Sequence, residues 1–301
     1  MINYLIVGAG PAGCVLANRL SADPACNVLL LEAGGADSNP EISIPGRWSK
    51  LLLSNLDWGY KSTPQPFLNN RQVDLNRGKV LGGSSAINGM VYIRGNPWDY
   101  DHWAELGNEQ WSFAELLPYF KRAENFAADP DNRVYGQGGP LHIAQIPDVL
   151  GQNERFIRAG ELTGLPRNPN FNGASQDGVG SYHHNFHEGR RQSAAHAYLK
   201  PVLQRPNLQV ETHAQVTRLL FEGRRAVGVE YVHDHQRKEA RVENEVILCG
   251  GALNSPQILL CSGIGPAHHL RRFEIPELVD LPGVGENLQD HPLLRVLFQS
   301  K

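Results

Sequence analysis

Tyr4-Leu5-Ile6-Val7-Gly8-Ala9-Gly10-Pro11-Ala12-Gly13 is the stretch that decides the fold. Four consecutive apolar residues, rich in Leu, Ile and Val, suit a strand buried on both faces of a parallel sheet. They run directly into Gly8-x-Gly10-x-x-Gly13, and Cys14 to Leu20 reads as the opening of a helix. In that setting Gly8 allows the tight turn, Gly10 lets backbone approach a pyrophosphate, and Gly13 permits close packing of helix on strand. The helix N-terminus then turns its free amides and positive dipole end toward the phosphates. A second apolar run, Asn27-Val28-Leu29-Leu30-Leu31, closes on Glu32, well placed to accept hydrogen bonds from an adenosine ribose. The interval from Gly8 to Glu32 exceeds the usual spacing of about 20 residues, yet an acid closing the second strand is the expected position. Glycine turns alone are common, and a bare βαβ unit would show them too. Strand, turn, helix, strand and acid in series predict dinucleotide binding, with NAD and FAD both open at this point.

A chain of 301 residues has room for about two domains. Its 41% hydrophobic and 20% charged content supplies ample material for a core. A net charge of −3 gives no reason to expect nucleic acid or an anionic membrane surface as a partner. No run approaches the roughly 18 apolar residues that suggest a membrane-spanning helix. The first strand starts so close to Met1 that no secretory signal is expected. Cys14, Cys26, Cys249 and Cys261 have neither zinc nor redox-pair spacing. Cys14 and Cys261 fall in apolar helical stretches and are expected to be buried thiols, which fits a reducing, cytoplasmic setting.

Further along, Trp58 and Tyr60 flank a glycine; they could stack on an adenine or pack a loop, and packing is the favoured reading. Gly82-Gly83-Ser84-Ser85 offers free amides and hydroxyls to a phosphate, or is a flexible loop, with nothing local to separate the two. Asn96-Pro97 reads as a helix start, and Ser112 with Glu115 as a capping box. Asp129 to Gly139 reads as a polar loop, Leu141 to Ile143 as a strand and Asn153 to Leu162 as a helix. His183, His184 and His187 tempt a metal reading, but on a strand His183 and His184 point to opposite faces, and zinc needs converging ligands. No metal site is assigned. Asn207 to Thr212, Ala214 to Phe221 and Ala226 to Val232 read as strands, with a hairpin turn at Gly223-Arg224-Arg225. Glu245 to Leu248 is a strand leading through Gly250-Gly251 into a helix.

Gly78-Lys79-Val80-Leu81-Gly82-Gly83-Ser84-Ser85-Ala86-Ile87-Asn88 resembles the first signature of the glucose–methanol–choline (GMC) flavoprotein oxidoreductases. Gly251, Ser255-Pro256, Ile258-Leu259 and Ser262-Gly263-Ile264-Gly265 resemble the second, and the opening turn with Glu32 resembles that family's FAD motif. Asn96 to Trp103 and Gly189 to Leu199 resemble GMC segments as well. The resemblance implies FAD as cofactor, with Gly8, Gly10, Gly13, Glu32 and Ala33 at the dinucleotide. It also implies Val80, Gly82, Ser85, Asn88, Gly89, Met90 and Val91 along the flavin, Val216 at the adenine end, and Gly250 at the nucleotide half. Asp290, His291 and Pro292 would neighbour the flavin pyrimidine at a helix N-terminus, where a dipole end stabilises the reduced ring. Some members carry a histidine, covalently linked to FAD, where this chain has Asn88, so the resemblance implies non-covalent FAD.

The fold expected is α/β: a Rossmann-like FAD-binding domain with a parallel sheet, residues 1–150 and 189–301, plus part of an α+β substrate domain, residues 151–188. The implied activity is oxidation of an alcohol CH–OH group by hydride transfer to flavin N5, in the manner of choline dehydrogenases. The electron acceptor, quinone-type or O2, stays open, as does membrane association through it. The resemblance runs from Ile2 to about Leu297, while the family pattern continues into a half that carries a His–His or His–Asn pair. No position here matches that pair, and no catalytic residue is named. A non-catalytic flavin-binding module is the alternative for the chain as it stands. An NAD(P)-dependent dehydrogenase would explain only the opening motif.

Overall fold

Alternation along a strand sorts side chains onto two faces, and in the central sheet each face finds its own partner. The computed structural model describes residues 1–126, 134–291 and 296. Its principal strands are β1 (Tyr4–Val7), β2 (Val28–Leu31), β3 (Leu208–Glu211), β4 (Gln215–Glu222), β5 (Arg225–His233), β6 (Gln236–Arg241) and β7 (Glu245–Leu248). The parallel sheet has the order β3-β2-β1-β7. Tyr4 pairs with both Val28 and Glu245, and Val28 with Leu208, so the strands end level at Glu211, Leu31, Val7 and Leu248. Ligands of open parallel sheets bind outside such ends.

On one face Ile6, Val28 and Leu30 pack on Cys14 and Ala17 of helix α1 (Pro11–Leu20) and on Ala195 and Leu199 of the returning chain. On the other, Leu5, Val7, Leu29 and Leu31 meet Ala214, just ahead of β4, and Val216, Leu219 and Val229 of the antiparallel meander β4-β5-β6, together with Ile258 of helix α2 (Gly251–Cys261). Pro at the first position of α1 is pre-set for a helix start. The expected hairpin at Gly223 joins β4 to β5, with φ +61° at the glycine. The β5–β6 turn uses Asp234 and His235, both left-handed, without any glycine. Cys14 is buried as expected, and burial pushes its thiol up to about 12. Cys261 is exposed, contrary to expectation. It sits in the last turn of α2 and points outward, while Ile258 faces the meander; an apolar run does not say which side of a helix meets the sheet.

A second unit carries a three-stranded antiparallel sheet, Val91–Tyr92, His183–His184 and Ala144–Gln145. A partition at residue 150 would cut this sheet. The helix Pro97–Glu105 has a full capping box: Asn96 Oδ1 accepts from Trp98 N at 3.0 Å and the Asp99 carboxylate from Asn96 N at 2.8 Å. Ahead of the helix Phe113–Ala123, Ser112 Oγ accepts from Glu115 N at 3.4 Å, and Glu115 reaches back only to the Ser112 hydroxyl, at 3.5 Å. The loop expected from Asp129 begins outside the described residues.

Candidate functional site

A cavity of about 450 Å³ opens at the C-terminal ends of β1, β2 and β7. Its floor is Val7, Leu31 and Leu248, and its rim is backbone from Gly8, Gly10, Gly250 and Gly251. Gly8 turns the chain at φ +99°, and a Cβ there would stand 2.6 Å from the Cys249 carbonyl oxygen. A Cβ at Gly13 would run into the Gly8 carbonyl, so close helix–strand contact is what requires that glycine. Gly10 differs: a Cβ there would meet nothing nearer than 4.0 Å, and it lines the cavity. Gly10 therefore leaves open space at the cavity rim.

The second glycine segment closes on the first. Gly83 has φ +52°, and a Cβ on it would lie 2.7 Å from Gly10 Cα. Gly82 N donates to Ala9 O at 2.8 Å. Gly83 and Ser84 line the same cavity. Two motifs far apart in the chain form one wall.

Glu32 lines the cavity and is buried, at 5% exposure. Its Oε2 accepts from Ala9 N at 2.7 Å and its Oε1 from Gly34 N at 2.8 Å. Burial holds the carboxyl above the usual range, and the two amides pull it back only in part. The carboxylate therefore anchors the β1–α1 turn as well as facing the ligand space. It retains acceptor capacity for ribose hydroxyls, since a carboxylate offers about four sites. Ala33, Val216 and Gly250 line the cavity alongside it.

Other expected positions fall beside the cavity rather than on it. Val80 is fully buried with Ile42, Leu51, Ala86 and Ile87, so its side chain is core. Ser85 Oγ donates to Gly82 O at 2.5 Å and accepts from Ala194 N at 2.9 Å. Asn88 Oδ1 accepts from Met90 N at 3.0 Å, and Met90 is left-handed at φ +63°. Gly89 is half-buried and Val91 exposed where this turn passes into the second sheet. Asp290 and His291 are exposed and do not line the cavity. Pro292 lies outside the described residues, and no helix is present from Leu281 to His291.

Ser84 and Ser255, named within the glycine-rich and signature-like segments, line the cavity, and so do four residues that no motif singled out: Arg77, Gln215, Asn254 and Gln257. Asn254 and Ser255 stood inside the second signature-like segment, which was the available signal. Trp58 is a wall of the cavity; it stacks on Tyr60 with centroids 5.5 Å apart and carries the Lys79 ammonium 4.4 Å from its ring centre. Tyr60 in turn donates to Asn254 Oδ1 at 2.9 Å, tying this loop to α2. His183 is buried with its Nδ1 2.8 Å from the Tyr135 hydroxyl. Among the described residues no three of His, Cys, Asp and Glu gather as a metal site.

The parallel sheet, the glycine-rimmed cavity at its C-terminal end and the buried acid closing β2 define a dinucleotide-binding α/β oxidoreductase fold. A family model described as GMC oxidoreductase matches residues 2–293, and the chain belongs to that family. It is 46% identical over 307 residues to oxygen-dependent choline dehydrogenase 1 of Chromohalobacter salexigens, covering 99% of this chain and 54% of that protein. It is also 46% identical over 296 residues to alcohol dehydrogenase (acceptor) of Pseudomonas putida, covering 97% and 53%. A solved FAD-dependent oxidoreductase of Chaetomium thermophilum is similar with a TM-score of 0.90 and 36% identity, over 96% of this chain and 52% of that one. The chain spans about half the length of the curated relatives it matches. The family and its structural neighbours make FAD the cofactor. The residues fit it: Gly10 and Gly251 leave open space beside a helix N-terminus, and Glu32 offers an acceptor nearby. The NAD(P) reading of the opening motif is set aside. Among the described residues no helix is long and apolar enough to cross a membrane.

Proposed function

We propose that this chain is the FAD-binding portion of a GMC enzyme that oxidises the CH–OH group of a small, choline-like alcohol. The observation that carries this reading is the contact of Gly83 with Gly10 at a cavity also rimmed by the start of α2. The names of the Chromohalobacter and Pseudomonas relatives support the substrate class. Bound FAD supplies a two-electron acceptor for the carbinol hydride.

The chain's own residues bind and orient. Gly10 and the amides opening α2 receive the pyrophosphate. Glu32 accepts from the ribose hydroxyls, and Val216 and Trp58 wall the cavity from water. Ser85 and Asn88 hold the turn that leads to Met90 and Val91, which meets the flavin. Gly82 and Gly89 belong to the same turn, and Val80 supports it from the core beneath. Asp290 and His291 are assigned to the pyrimidine side of the flavin. Asn88 has an amide, not a nucleophile, and that amide is engaged with Met90 N, so the cofactor is held without a covalent link. No described residue is assigned the role of base. Residues 151–188, with Val91–Tyr92 and Ala144–Gln145, form the substrate-facing unit. The free thiols suit a cytoplasmic setting, with a quinone-type acceptor or O2 taking the electrons.

Titrating the flavin-free protein with FAD and, separately, NAD tests the reading. Saturable quenching of flavin fluorescence with no response to NAD is expected. Equal responses, or none to FAD, contradict it.

A further inference from the structure

Arg191 is a buried arginine with no acid beside it. It is 3% exposed, and no carboxylate among the described residues forms an ion pair with it. Its Nε donates to Ile42 O at 2.8 Å. Its Nη1 donates to Asn88 O at 2.6 Å, Asn88 Oδ1 at 3.0 Å and Ser85 O at 3.2 Å. Its Nη2 is buried without a partner among the described residues. Carbonyl dipoles satisfy N–H groups but leave the net charge in place, and burying an uncompensated charge is costly. Burial pushes this guanidinium down to about 10, which still leaves it protonated at neutral pH.

The location of that charge is informative. Gly83 marks the end of the cavity rim that touches Gly10, where phosphates are received. Arg191 grips the next turn of the same segment, Ser85 to Met90. Met90 holds a left-handed conformation there that costs free energy and persists only where neighbours over-determine it. Asn88 Oδ1 does part of that work by accepting from both Met90 N and Arg191. Gly89, half-buried and with open space where a Cβ would stand, leaves bare backbone on this turn.

We propose that Arg191 is a positioning residue for the cofactor: it fixes the Ser85–Met90 turn and supplies the buried positive charge that compensates the negative charge the flavin ring gains. This rests on the FAD reading above. The guanidinium acts through the turn on position and through space on charge, and the two parts separate by substitution. Arg191→Lys keeps the charge and loses the fork of donors; Arg191→Gln loses the charge.

The probe is sulfite, whose sulfur lone pair bonds to flavin N5 while the displaced electron pair settles as negative charge on the N1–C2=O edge. The affinity of the FAD-loaded full chain for sulfite is read from bleaching of the flavin band, with FAD content and affinity measured in parallel. For Arg191→Gln, sulfite affinity about tenfold weaker than the parent is expected, the effect of one nearby charge in a partly shielded site. For Arg191→Lys, FAD affinity falls while the sulfite affinity of the loaded fraction stays close to the parent's. Parent-like sulfite affinity in Arg191→Gln overturns the proposal. If that variant does not fold, Arg191→Lys decides, and a tenfold loss of sulfite affinity there overturns it. A parent protein that takes no FAD at all overturns the FAD reading itself and this inference with it, a result distinct from either variant's.

Discussion

Two buried regions of this molecule use polarity in opposite ways. Around Glu124 every charge is answered by another. Arg94 Nη2 reaches Glu124 Oε1 at 2.6 Å and Oε2 at 2.7 Å, both side chains being almost fully buried. The Tyr92 hydroxyl donates to the same carboxylate, and Gly136 N donates to it at 3.0 Å. Next to it, the Tyr135 hydroxyl lies 2.9 Å from Asn170 Oδ1 and 2.8 Å from His183 Nδ1. At the end of the parallel sheet the walls are instead bare backbone, left open by glycine, with one buried acid and one unpaired arginine nearby. Around Glu124 opposite charges meet and only Arg94 Nη1 is left without a partner among the described residues; at the sheet end open backbone leaves room for a ligand. His183 belongs to the first kind of region, packed against Tyr135 and Phe126, while the glycines line the second.

The contrast is broken most severely by filling the open side. Gly83→Val puts a side chain into Gly10 at a left-handed position, and loss of FAD affinity on the order of a hundredfold or more is expected. Equilibrium dialysis measures it, with circular dichroism to check folding. The closed side responds in stability instead. Glu124→Gln leaves the Arg94 charge buried and unanswered, an expected loss of about 3–5 kcal/mol in urea unfolding. FAD affinity of the folded fraction should stay unchanged.

Much of the cavity's lining was legible because its signals are local. Tyr4 to Gly13 states strand, turn and helix within a few residues, and Glu32 follows at the next strand end. Strand β6 was not legible: Gln236 to Arg241 is polar but for Ala240, its one buried residue, and its turn lacks glycine. The outward side of Cys261 depends on how α2 docks, which no periodicity states. Arg191 reads in sequence as one arginine of a pair, and only the fold shows that Arg190 is exposed and Arg191 buried. Glu124 gave no signal either, because its partner Arg94 lies a helix pair away.

The smallest expected effect sharpens the comparison at Glu32. Burial raises this carboxyl, and it binds its proton more tightly folded than unfolded. Its contribution to stability is therefore fully present below the unfolded pKa and fades as pH rises through the raised folded value. Cofactor binding should run the other way, because the ionised form accepts from the ribose. FAD affinity is expected to fall as pH drops through that raised value, by a few-fold, and Glu32→Gln should flatten the profile. Affinity constant across mildly acidic pH would place the ribose elsewhere.

The most direct test of the central claim, that the two glycine segments together hold FAD, is an absorbance spectrum of the purified protein before and after acid precipitation. Twin flavin bands that move into the supernatant are expected, since Asn88 offers no covalent anchor. Flavin that stays with the precipitate contradicts the non-covalent site, and a colourless protein that remains colourless after incubation with FAD contradicts the site altogether.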